Sequence, residues 1–273
     1  MRRQELLVLA WVCCLVTTAA LGFNPLAHLE IAQRAFPKVP DPLNRDYGAI
    51  ASDLAHLAVF VAQPSRWPDG SEDTHYTFSD LRPYSWTRTE RSFALGWLAH
   101  NEYWGADFVG HREFNGEPGY VTQRAWLLAN AVGIDENLAH LAIETAVDVL
   151  LKRDHPDLVQ RLLQADLYRS PEDHSLLTRI LVWRNRQTDW WTLTSTELEF
   201  RCLVGWYAVA LSQPEPQDLQ ALADLAVRLG ELWLGTTADP TEIIGILQAA
   251  MELCEDYESA LDAAVDSIGA IVP

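Results

Sequence analysis

The chain has 273 residues, 49% of them hydrophobic, with 38 acidic and 20 basic side chains and a net charge of −18. Such a chain folds around an ample apolar core and is not disordered. The acidic balance argues against a nonspecific nucleic-acid binder and against docking on anionic lipid, because both need clustered positive charge.

Residues 1–22 read as a signal peptide. Arg2 and Arg3 precede an apolar run from Leu6 to Leu21, and Ala20-Leu21-Gly22 supplies small residues for cleavage before Phe23. The expected location is therefore outside the cytoplasm, secreted or periplasmic. The rival reading is an uncleaved N-terminal membrane anchor. Cleavage would remove Cys13 and Cys14 and leave Cys202 and Cys254. An oxidising compartment lets these two pair if geometry allows; two buried free thiols are the equal alternative.

From Phe23 onward the helical period dominates. Pro25 starts a helix that carries His28. Ile50 and Leu54 continue the pattern. Residues 64–90 form a long irregular stretch with Pro64, Trp67, Pro68, Gly70, Pro83 and Trp86, and with His75 in its middle. Its aromatic residues favour an ordered, functional loop. Apolar residues then recur at helical spacing over 90–112, 120–132, 136–152, 158–166, 172–184, 196–211, 216–234, 240–252 and 255–268. Pro156, Pro171, Pro214, Pro216 and Pro240 mark the breaks. Thr192 to Thr196 is the one strand-like patch. The fold class is all-α: a bundle of about ten helices over residues 23–273, with a metal-site half at 23–152 and a C-terminal helical half at 153–273. The 11 tryptophans read first as filler for a large core and second as an aromatic surface at a membrane interface.

Polar residues interrupt these apolar patterns. His140 and Glu144 stand one turn apart on one helix face, about 6 Å along the axis. They can grip a metal ion together, or form a hydrogen bond in a polar notch. His100 ends the run Leu95-Gly96-Trp97-Leu98-Ala99. Asp107 and His111 follow it at i, i+4 spacing. In an unbroken helix His100 and His111 would lie about 16 Å apart, too far to share one zinc but able to serve two neighbouring metals; Gly105 can also break the helix between them. Asp53 sits in the apolar context Ala49-Ile50-Ala51-Ser52. Histidine with carboxylate is the usual donor set of hydrolytic zinc sites. Three other residues read as bland. His56 is either a neighbour of the ligands or, preferably, a helix-face residue. Asp148 either orients a ligand or, preferably, lies at the surface. His174 reads as a solvated helix start.

The pattern resembles the zinc-dependent phospholipase C family and, more distantly, the zinc-dependent single-strand nucleases. The motifs that carry the likeness are His140-x-x-x-Glu144 within His-Leu-Ala-Ile-Glu-Thr-Ala-Val-Asp, Gly96-Trp97-Leu98-Ala99-His100, and Gly48-Ala49-x-x-x-Asp53. His28 and the His75 loop fall in the family's order, and the resemblance covers roughly residues 23–152. It implies an all-α exported hydrolase of phosphodiester bonds with two or three zinc ions. His75, His100 and Asp53 would hold one metal, with Asp107 as a bridge. His111, His140 and Glu144 would hold the second. His28, with the Phe23 amine, would contribute to a third. The family places an aspartate four residues after the central histidine, where this chain has Trp104, so Asp107 is the substitute.

Zinc lowers the pKa of a bound water towards about 7 and neutralises phosphate oxygens. Asp53 is the candidate catalytic base, with a purely ligating role as the equal alternative. The expected partner is a phosphodiester substrate. A small or zwitterionic phospholipid headgroup, met through transient membrane contact, suits the scarcity of basic residues better than a long nucleic acid, and no stable nucleic-acid partner is expected. The alternatives are a zinc-dependent nuclease and a non-catalytic exported metal-binding protein.

Overall fold

Acidic and hydroxyl caps start most helices where the sequence punctuates them. Asp41 accepts from the Asn44 amide, Thr87 and Glu90 form a reciprocal capping box, and Asp135, Ser170, Asp189 and Asp239 cap four later helices. The computed structural model describes residues 24–56, 67–234 and 237–272. The leader, Phe23 and the first part of the 64–90 stretch lie outside the described residues.

The main helices in chain order are α1 (Pro25–Ala35), α2 (Pro42–Ala51), α3 (Arg88–His100), α4 (Tyr120–Val132), α5 (Glu136–Asp154), α6 (Asp157–Tyr168), α7 (Pro171–Leu177), α8 (Trp190–Leu211), α9 (Gln217–Leu234), α10 (Pro240–Leu253) and α11 (Tyr257–Ile271). Short helical turns fill two of the connections, α2 to α3 and α3 to α4. They are Gly70–Glu72 running into a π-type turn at Asp73–Thr77, a 3₁₀ turn at Arg82–Tyr84, and a π-type turn at Phe108–Arg112. A third π-type turn, Thr178–Arg184, extends α7. The described residues hold no strand, only an isolated bridge between Phe114 and Glu117. The fold is therefore all-α.

α5 lies deep in the bundle, packed by α4, α10 and α1. α2 packs on α1, α3 and α6. One core joins both halves of the chain, from Leu26 and Trp97 to Leu211 and Ile268. The tightest crossing is that of α2 with α3. A Cβ on Gly96 would stand 1.9 Å from the Arg45 carbonyl oxygen, and one on Gly48 would stand 2.1 Å from that of Phe93. Glycine at both positions lets the two backbones touch. That approach brings the C-terminal ends of α2 and α3 together.

Three expectations change. The apolar run 90–112 is not one helix: α3 stops at His100, and a turn at 101–105 redirects the chain. Thr192–Thr196 is helical, inside α8. Asp189 caps the Thr192 amide and accepts from its hydroxyl, and Thr194 donates back to the Trp190 carbonyl, so caps and packing override β-branched preference. Cys202 is exposed and Cys254 buried, and both are free thiols. Among the described residues no helix is long and apolar enough to cross a membrane.

Candidate metal centre

The eight residues singled out as ligands come from six local structures. His28 is on α1, Asp53 follows α2, and His75 sits in the first π-type turn. His100 is the last residue of α3, and Asp107 and His111 lie on the segment after it. His140 and Glu144 are on α5. Two of the histidines occupy π-type turns, a geometry frequent at functional sites.

Their donor atoms converge in two places. In the first, His100 Nε2 lies 3.2 Å from Asp53 Oδ1, 3.1 Å from Asp107 Oδ2 and 3.2 Å from His75 Nε2. His75 Nε2 lies 3.4 Å from Asp53 Oδ1 and 3.5 Å from Asp107 Oδ2. His28 joins this group from α1: its ring stacks on His100 at 3.9 Å, and its Nε2 is 3.7 Å from Asp107 Oδ1. In the second, His140 Nε2 lies 3.3 Å from His111 Nε2 and 3.0 Å from Glu144 Oε1. His28, His75, His100 and Asp107 are buried, and so is Glu144. The i, i+4 pair on α5 thus faces a third donor from another element.

The far side of each ring explains its orientation. His100 Nδ1 is 2.7 Å from the Ala49 carbonyl, His75 Nδ1 is 3.2 Å from the Ser71 carbonyl, and His111 Nδ1 is 2.7 Å from Glu102 Oε1. Each Nδ1 faces an acceptor and so carries the proton, which leaves Nε2 as a lone pair in the neutral ring. His75 and His100 then point two lone pairs at each other across 3.2 Å. Such an arrangement calls for a cation or a shared proton between them. A carbonyl or carboxylate behind the imidazole is also the usual support of a metal-bound histidine.

The electrostatics agree. Burial lifts the Asp53 carboxyl, but the adjoining His100 and His75 rings outweigh it and hold it well below the ordinary range. Burial likewise lifts Asp107, and His100 again overrides it downward. Burial lowers His100, yet Asp107 and Asp53 hold it well above its usual value. Burial lowers His111 too, and its bond to Glu102 reverses the shift, to about 9. Burial pushes Glu144 up. Asp53 and Asp107 keep their charge beside protonated imidazoles, and with the imidazoles neutral the same donors would leave buried negative charge for a cation to balance.

Local contacts build the frame. The Asn101 side-chain amide donates to the Leu98 carbonyl and its oxygen accepts from the Tyr103 amide at 2.9 Å, which shapes the turn after α3. A Cβ on Gly105 would sit 2.5 Å from the His100 carbonyl carbon, so this turn folds directly against the end of α3. Trp97 Nε1 donates to the Phe78 carbonyl at 2.8 Å and ties the His75 segment to α3.

The sequence reading misses Glu102 and gives the lesser weight to the buried roles of His56 and Asp148. Glu102 accepts from His111 and also from Arg112 Nε at 3.1 Å, a role created by the turn and not by any spacing. His56 is no free helix-face residue: it is buried, stacks on His75 at 4.5 Å, and donates to or accepts from Ser71 Oγ at 3.0 Å. Burial holds it down at about 3, so it is neutral. Asp148 is not at the surface. It accepts from the Leu26 and Ala27 amides at 3.0 Å each and anchors the start of α1 just before His28. His174 is not simply solvated, because its Nδ1 meets Glu197 Oε2 at 2.5 Å. Tyr76, Tyr103 and Trp104 stand in successive ring contacts, with the Arg112 guanidinium 5.2 Å from the Tyr76 ring centre.

These groups can hold metal ions. No family model, no curated protein and no solved structure matches the chain.

Proposed function

We propose that the protein is a zinc-dependent phosphodiesterase of the phospholipase C type, exported after removal of its leader. The observation that carries this reading is the spacing of the donor atoms. Zinc with ligands at 2.0–2.1 Å in a tetrahedron separates neighbouring donors by about 3.3 Å. The five separations in the first group run from 3.1 to 3.5 Å, and the two in the second are 3.0 and 3.3 Å. Asp53, His75, His100 and Asp107 would hold one ion, and His111, His140 and Glu144 a second. His28, beside Asp107, would serve a third. The order of these residues along the chain supports the phospholipase C resemblance, and Asp107 would take the role that Trp104 leaves vacant.

Bound zinc would supply an acidified water and positive charge against phosphate oxygens. The protein's own groups do the rest. Asp107 is fully buried and is suited to holding metal alone, whereas Asp53 keeps 8% of its surface exposed. Asp53 is therefore the carboxylate that solvent and substrate can reach, and the better base. Glu102 holds His111 in the tautomer that presents Nε2. Arg112, half-exposed beside Tyr76, offers a cation to an incoming phosphate.

Hydrolysis of bis(4-nitrophenyl) phosphate by the zinc-loaded protein tests the reading, followed by phosphatidylcholine and single-stranded DNA as competing substrates. Asp53→Asn should lower kcat at least about 100-fold. Preferential cleavage of DNA would reassign the enzyme to the nucleases. Full zinc occupancy with no hydrolysis of any phosphodiester would make it a metal-binding protein without this activity.

A further inference from the structure

The net charge of −18 hides a segregated surface. Residues 82–91 and 179–191 together contain six of the chain's 18 arginines and only two acidic residues, Glu90 and Asp189. Glu90 binds the Trp86 and Thr87 amides and is paired with Arg179, Arg82 is paired with Asp80, and Glu172 accepts from Thr87, so the positive charge left to the face is that of Arg88, Arg91, Arg184 and Arg186. The two segments form one face. The Arg179 guanidinium lies 3.8 Å from the Trp86 ring centre and donates to the Tyr84 carbonyl, and Arg184 lies 4.8 Å from the Tyr84 ring centre.

Large apolar groups are exposed at several places on the chain, but the three most exposed tryptophans of the described residues lie in these two segments. Trp86 and Trp183 are each 70% exposed and Trp191 is 69% exposed, with Trp190 packed edge-on to Trp191. Three tryptophans held outward on a short π-type turn and two helix starts are not core filler. Burying them would lower the free energy, so their exposure marks a contact surface. The arginines around them decide what the contact is. A second copy of this chain would oppose arginine to arginine across a two-fold axis. An anionic bilayer instead accepts indoles at headgroup depth and attracts guanidinium groups to its surface.

We infer that the face made by residues 82–91 and 179–191 docks the protein on anionic lipid membranes, with Trp183 and Trp191 entering the interface and Arg184 and Arg186 meeting lipid phosphates and carboxylates. The face lies at the N-terminal end of α3, whereas His100 lies at its other end, roughly 18 Å along the axis. Docking therefore does not depend on the phosphodiesterase reading, and it can be measured without any activity. It also departs from the whole-chain charge, which argues against such binding because it averages over opposite faces.

The test is co-sedimentation of the full chain with vesicles of phosphatidylcholine alone and of equimolar phosphatidylcholine and phosphatidylserine, at low and at high salt. Sedimentation with the anionic vesicles, weakened by salt and by pure phosphatidylcholine, is expected. Trp183→Ser/Trp191→Ser and Arg184→Glu/Arg186→Glu, all at exposed sites, should each bind at least about tenfold more weakly while keeping the helical circular dichroism of the parent. The inference is overturned by absence of binding to anionic vesicles, by equal binding to both vesicle types, or by binding that both double variants retain. Self-association of the parent that the tryptophan variant abolishes, without vesicle binding, would overturn it as well.

Discussion

His100 Nε2 and Asp107 Oδ2 stand 3.1 Å apart, although α3 ends at His100 and the chain turns before it reaches Asp107. The turn does what a regular helix would do with an aspartate four residues on. It lets the carboxylate return to the same ring, while Trp104 joins Tyr103 in an outer aromatic stack. Asp107 also lies close to His28 and His75, so three histidines share it. Asp107→Asn should weaken zinc binding at least about tenfold, as read by competition with a chromogenic chelator. An unchanged affinity would remove Asp107 from the ligand set.

Glu102 tests the supporting layer. It fixes the His111 ring from behind without facing the metal position itself. Glu102→Gln should keep the fold and lower affinity at the second group about 10- to 100-fold, the usual effect of losing a carboxylate behind a ligand histidine. Because the same bond holds His111 at about 9, the variant should also show a lower His111 pKa in the metal-free protein by NMR titration. No movement of that pKa would contradict the assignment.

The α2–α3 crossing sets both the fold and the site. Gly96→Ala would drive a methyl group to within 1.9 Å of the Arg45 carbonyl oxygen. Overpacking of this kind costs about 1–3 kcal/mol or more. At roughly 2–4 °C per kcal/mol for a chain of this size, the melting temperature should fall by several degrees at least. A melting curve that overlays the parent would show that the helices can separate at no cost.

Asp173 gives a pH signature away from the metal centre. It is fully buried in α7, and burial pushes its carboxyl up to about 9. The folded state then holds a proton that the unfolded chain releases near pH 4. The stability this group contributes is complete below about pH 4 and is lost as the pH rises through about 9, with a slope of at most about 1.4 kcal/mol per pH unit. Asp173→Asn removes that slope. Its melting temperature should exceed the parent's at pH 8, with the gap closing towards pH 5. A constant gap across this range would mean that Asp173 does not titrate with folding.

Much of the centre was legible because helices keep donors in register. The one-turn spacing of His140 and Glu144 translates directly into 3.0 Å between their atoms. Gly96 through His100 likewise reads as a helix that ends in a candidate ligand, while the close approach at Gly96 emerges only from the fold. Asp107 was harder, since its position depends on where α3 stops, and that is fixed by Asn101 bonding back to Leu98 and by Gly105 fitting against His100. Glu102 carries no spacing signal, and the one-turn spacings of His56 from Asp53 and of Asp148 from Glu144 do not decide between a place beside the ligands and a plain helix face. Their roles arise only where separate segments meet, as when Asp148 on α5 receives the first amides of α1. The Thr192–Thr196 patch misleads for the opposite reason, because local β-branching is outweighed by an aspartate cap and by burial of Leu193.

The zinc content of the purified full chain, measured by elemental mass spectrometry for the parent, His100→Ala and His140→Ala, bears most directly on whether these side chains form a metal centre. The parent should carry two or three zinc ions per chain, and each variant should carry fewer, with a lower melting temperature, because metal binding stabilises the fold. A parent that binds no zinc when folded, or variants that keep its full complement, would contradict the account.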